Sequence, residues 1–141
     1  MSISIRRSSA PITSEQVHEF EEHFNLSLPD EYRAFLLRTN GGIPSSDQVG
    51  YEGKSGPKRA KLLGLYGLGR EGLVDAAFHD LLTANMERPH AMPITHLFIG
   101  RCETAINYGQ LVLACGEEDA GKVFYRPDTD DDRPTLYPVA E

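Results

Sequence analysis

With 141 residues, 40% of them hydrophobic and 25% charged, the chain has the size and balance of one self-sufficient domain, which speaks against wholesale disorder, a repeat array or a two-lobed cofactor enzyme. Its formal net charge of −7 has the wrong sign for gripping nucleic-acid phosphates, so a basic protein is the expected partner and nucleic acid is not.

From the N-terminus, Thr13 and Gln16 form a capping box and Ile12 and Val17 a hydrophobic staple, predicting a helix over 12–24. Val17, Phe20 and Phe24 give it an apolar stripe, with Glu15, Glu19, Glu21 and Glu22 on the expected wet side. Asn25 suits its end. Pro29, Asp30 and Glu31 then suit the first turn of a second helix, which buries Tyr32, Phe35 and Leu36 and stops at Asn40-Gly41-Gly42. The expected unit is a helical hairpin.

Residues 43–60 are rich in Gly, Ser and Pro and read as a long loop, followed by a strand over 61–68 and a helix over 73–84. Three strand-like runs come next, at 96–100, 111–115 and 123–125, with 116–121 as a hairpin connection between the last two. Helices first and strands later predict an α+β fold with a helical hairpin and a further helix. Residues 1–141 are expected to form a single domain with a core of about 12–126 and an acidic, flexible tail over 127–141. The two cysteines, Cys102 and Cys115, read as reduced thiols. No segment approaches the roughly 18–20 apolar residues of a membrane span, so a cytoplasmic protein without membrane contact is expected.

Several motifs invite a chemical reading. Gly67-Leu-Gly69-Arg-Glu-Gly72 has the letters of a dinucleotide fingerprint between a predicted strand and helix, but the second strand and its ribose-binding acid are not where that unit needs them. Gly116 to Lys122 imitates a phosphate loop, yet Val123 stands where the magnesium-binding hydroxyl belongs, and Glu117, Glu118 and Asp119 would repel phosphate. Asp128-Thr-Asp130-Asp131-Asp132 opens like a calcium loop, yet Arg133 replaces its turn glycine. The histidines lack ligand spacing, and Cys102 has no placed base. The chain is read as a non-enzyme without catalytic residues, cofactor or metal, and a nucleotide-binding enzyme is the weakest alternative.

The run Leu28-Pro29-Asp30-Glu31-Tyr32-Arg33-Ala34-Phe35-Leu36, followed by Thr39-Asn40-Gly41-Gly42-Ile43-Pro44, closely resembles the signature of the SUKH superfamily, the Smi/Knr-like domain. Leu65-Tyr66-Gly67-Leu68-Gly69, Ile99-Gly100 and Gly121-Lys122-Val123-Phe124-Tyr125 are similar to its later strand motifs in the expected order. The resemblance implies an α+β domain with helices packed on a mixed or mostly antiparallel sheet, no catalytic residues, and structural roles for Leu28, Pro29, Tyr32, Phe35, Leu36, Asn40, Gly41, Gly42, Gly67, Gly69 and Gly121. Family members commonly continue into a last helix, a pattern from which this sequence is expected to depart, since 136–140 reaches the end of the chain where such a helix would start. Bacterial members resemble immunity proteins that bind and neutralise a cognate toxin, often a nuclease, and fungal ones resemble regulatory scaffold modules, the alternative reading.

Toxin nucleases carry basic clefts, so acids at Glu117, Glu118, Asp119, Asp128, Asp130, Asp131 and Asp132 are the candidate partner-binding residues. From Glu117 onward eight acidic residues accompany three basic ones, whereas Glu52 to Glu71 holds five basic and two acidic. The charge is polarised along the chain. A monomer or a homodimer fits the sequence equally well.

Overall fold

The computed structural model describes residues 5–7, 11–44, 48–53, 56–68, 81–86, 95–104, 108–116, 119–127 and 136–139. Helix α1 (Ser14–Phe24) begins at Thr13, whose Oγ1 accepts from the Gln16 amide at 3.2 Å while the Gln16 side chain accepts from the Thr13 amide at 2.9 Å, the expected reciprocal cap. It ends at Asn25 in the left-handed conformation (φ 52°), and α2 (Asp30–Thr39) ends the same way at Asn40 (φ 46°). Pro29 lies one position ahead of α2, as its N-cap, where its fixed φ of −56° and missing N–H cost nothing. Val17, Phe20, Tyr32 and Leu36 are buried, so each helix turns its apolar stripe inward.

Two sheets follow. Strands β1 (Ile5–Arg7) and β2 (Ile43–Pro44) pair with each other. The main sheet runs in strict chain order through β3 (Gln48–Gly53), β4 (Gly56–Leu65), β5 (His96–Glu103), β6 (Tyr108–Ala114), β7 (Val123–Pro127) and β8 (Tyr137–Pro138), with every pair antiparallel. A short helix, α3 (Leu81–Met86), precedes β5, and the rest of the predicted 73–84 helix lies outside the described residues. The fold is a single α+β arrangement, with an antiparallel sheet rather than a mixed one. None of the described helices is long and apolar enough to cross a membrane.

The reading of 43–60 as loop is corrected: β3 and the first half of β4 form a hairpin there, with Gln48 paired to Lys61 and Gly53 to Gly56. The segment lacks a run of apolar residues because it lies at the sheet margin, where among its described residues only Val49 and Ala60 are buried. The other strands extend beyond their expected ends, β5 to Glu103, β6 back to Tyr108 and β7 on to Pro127.

The sheet is strongly curled. Irregularities between Leu62 and Gly64 and between Phe98 and Gly100 break the register of β4–β5 and β5–β6, and such bulges bend strands. The first and last strands come together at a bridge between Tyr51 and Val139, with Tyr51 stacked on Tyr125 at 4.3 Å. In central strand β6, Leu111, Val112, Leu113 and Ala114 are all buried, so both faces of the sheet are covered. Leu113 shares its face with its partner Val123, and α2 lies on that side.

Two buried asparagines fasten helix to sheet. The Asn40 amide donates to the Leu68 carbonyl at 3.0 Å while its Oδ1 accepts from the Leu68 amide at 2.8 Å. Asn85 of α3 treats Phe98 in the same way, at 2.9 and 2.7 Å. Each side chain thereby acts as one more strand residue, satisfying backbone groups that the ladder has left behind.

Candidate functional site

Between α2 and the sheet lies an open cavity of about 340 Å3. Its helix wall is Glu31, Ala34, Phe35 and Arg38, positions i, i+3, i+4 and i+7 of α2, which form one stripe about 10 Å long. Its sheet wall is Leu65, Ile99, Leu113 and Val123, one residue from each of four neighbouring strands, with Gly121 closing one side. Tyr32 also lines it, and the buried Tyr32 hydroxyl has no hydrogen-bond partner among the described residues. Burial, and more weakly the nearby Cys115, push that phenol well above its ordinary pKa. It remains neutral.

The cavity opens onto a shelf formed by Pro29, Asp30 and Glu31 on one side and by 119–124 with Pro138 and Val139 on the other. The two recesses share Pro29, Glu31, Gly121 and Val123 and form one continuous cleft. Its floor is apolar and its rim is charged. On that rim Asp30 is paired with Arg33 at 2.9 Å and Asp119 with Lys122 at 3.1 Å. Glu31 and Arg38, both exposed, have no ion partner among the described residues.

An ion pair behind the cleft sets the position of α2. Glu21 belongs not to the wet side of α1 but to the interior: it is 9% exposed, and its Oε2 accepts from the Leu28 amide and from Arg33 Nη2, both at 2.8 Å. The turn between the helices leaves the Leu28 N–H without a helical partner, and the carboxylate fills that need. Burial alone would raise the Glu21 pKa, but the Arg33 guanidinium and the Leu28 amide outweigh it and hold the carboxyl below its ordinary value. Cys115, also close by, has its thiol pushed up to about 12 by burial and by the Glu21 charge. Such a thiol is a poor nucleophile.

Of the residues singled out from sequence, Pro29, Tyr32, Phe35, Gly121 and Asp119 come together along this cleft. Leu28 and Leu36 lie in the core, and Asn40, Gly41, Gly42 and Gly67 form the junction of α2 with the end of β4. There the Gly42 and Leu65 backbones exchange hydrogen bonds at 3.0 and 2.8 Å. A Cβ on Gly41 would lie 2.6 Å from the Tyr66 carbonyl oxygen, and one on Gly67 would lie 2.3 Å from the Asn40 carbonyl oxygen. Close backbone packing, and not a pyrophosphate, accounts for Gly67. Gly69, Glu117, Glu118, Asp128, Asp130, Asp131 and Asp132 lie outside the described residues.

Sequence reasoning missed Glu31 and Arg38 as site residues, although their spacing with Ala34 and Phe35 was available as a helical stripe. The sheet wall carried no such signal, because its residues are scattered from 65 to 123. Among the described residues no group of three or more His, Cys, Asp or Glu is placed to hold a metal ion.

The geometry is that of a small α+β module presenting an apolar-floored, charge-rimmed cleft between a helix and a sheet. The chain belongs to the SMI1 / KNR4 family (SUKH-1), whose family model matches residues 11–141. Neither the curated proteins nor the solved structures compared with it contain a match.

Proposed function

We propose that the chain is an immunity protein that neutralises a basic toxin, such as a nuclease, by one-to-one binding, and that the cleft between α2 and the sheet is where the partner docks. The observation that carries this reading is the convergence of Pro29, Tyr32, Phe35, Gly121 and Asp119 on one cleft with an apolar floor. A hydrophobic recess ringed by charge is the usual anatomy of a protein-binding hot spot. The net charge of −7 favours a cationic partner, with long-range attraction speeding the encounter and packing in the cleft setting the residence time. Membership of the SMI1 / KNR4 family supports a binding role over a catalytic one.

The test is a titration of this chain into any toxin-like domain found encoded beside its gene. Toxin activity is expected to fall linearly and vanish at one molar equivalent. An undiminished activity at equal dose, or inhibition at far below one equivalent, contradicts neutralisation by binding. Co-purification of several housekeeping proteins in place of one toxin would favour a regulatory module.

A further inference from the structure

Across the cavity mouth, Glu31 and Arg38 stand at the two ends of the α2 stripe, seven residues and therefore about 10 Å apart along the helix. They have opposite charges, both are exposed, and neither has an ion partner among the described residues. The other acids on the rim differ: Asp30 is paired with Arg33 and Asp119 with Lys122. Between the two ends lie Ala34 and Phe35, with Leu65, Ile99, Leu113 and Val123 beneath.

We infer that the cleft takes a dipolar peptide segment of the partner: an extended stretch with a cation facing Glu31, an anion facing Arg38 and a large apolar side chain between them seated in the cavity. An extended chain advances about 3.3 Å per residue with side chains alternating between its two faces, so two charges on the face turned to α2 belong an even number of residues apart, and four residues, about 13 Å, span the stripe. That spacing places the residue midway between the charges on the same face, where it supplies the apolar anchor. Neither an all-basic nor an all-acidic segment satisfies both ends, and a like charge opposite Glu31 or Arg38 is repelled. The inference deepens the reading of the cleft as the partner's docking site and rests on it, adding the sequence class of what enters.

Four blocked peptides serve as probes against the isotope-labelled full chain: Ac-Lys-Ala-Leu-Ala-Glu-NH2, its Gln-Ala-Leu-Ala-Gln, Lys-Ala-Leu-Ala-Lys and Glu-Ala-Leu-Ala-Glu counterparts, each followed by amide chemical shifts. The dipolar peptide is expected to perturb Glu31, Phe35, Gly121 and Val123 and to bind about three- to tenfold more tightly than the uncharged one, the effect of two exposed ion pairs. Glu31→Gln should abolish the advantage contributed by the peptide lysine alone, and Arg38→Gln that contributed by the glutamate alone. Ala34→Tyr, on the exposed helix surface, should block all four. Equal binding of the four peptides, shifts elsewhere on the protein, or no shifts at all overturns the inference. These results are independent of the toxin titration, so neutralisation without peptide discrimination rejects the segment and keeps the function, and discrimination without neutralisation does the reverse.

Discussion

Glu21 illustrates how one residue can reverse the role that its surroundings in sequence assign to it. In α1 it is flanked by exposed acids, yet it is buried and tied to Leu28 and Arg33, and so joins the two helices across their connecting turn. Because its folded pKa is held below the ordinary value, its contribution to stability is fully present above the unfolded value of about 4.5 and is lost as the pH falls through the folded one. Glu21→Gln keeps an acceptor for the Leu28 amide but removes the charge facing Arg33, and is expected to cost about 1–2 kcal/mol at pH 7. The variant should also flatten the decline in stability below pH 5. Urea unfolding from pH 7 to pH 3 checks both; parallel curves for the two proteins would show that the ion pair carries no pH-dependent stability.

At the scale of elements, the junction between the end of α2 and the end of β4 explains the family motif physically. Asn40 closes the helix in a left-handed conformation, and its side chain then serves the Leu68 backbone, while Gly41 and Gly67 allow the two chains to touch. Asn40→Ala leaves a buried N–H and C=O without partners and should lower the unfolding free energy by about 2–4 kcal/mol. Gly67→Ala forces Asn40 away and should cost about 1–3 kcal/mol, and the double variant should cost less than the sum because both act on one contact. Denaturant midpoints measure this; strict additivity would mean that the contact is not shared. Local rules written in neighbouring residues were legible in the sequence: the Thr13–Gln16 capping box, the helix ends at Asn25 and Asn40, and the strands around 96–100, 111–115 and 123–125. The β3–β4 hairpin was not, because at a sheet margin strand pairing by the backbone demands few apolar side chains, and Gly, Ser and Pro there read as loop. Both partners of the Asn85–Phe98 contact were visible as letters, but nothing local says that they meet.

For the molecule as a whole, the curl of the sheet brings its margins together at Tyr51 and Val139 and limits the length of open strand edge available for pairing with another chain. The same curl, with α2 laid across Leu65, Ile99, Leu113 and Val123, creates the cleft. Its residues are drawn from 29 to 139, so the site is a property of topology and not of any one motif. The acids at 117–118 and 128–132, outside the described residues, are proposed to steer a partner, and the cleft is assigned the packing that retains it.

Hydrogen exchange of the full chain, alone and mixed with the toxin domain at equal molar amounts, addresses docking in the cleft most directly. Slowed exchange confined to residues 29–38 and 119–124 is the expected result. Protection centred on the β3–β4 hairpin, with those two segments unchanged, would contradict it.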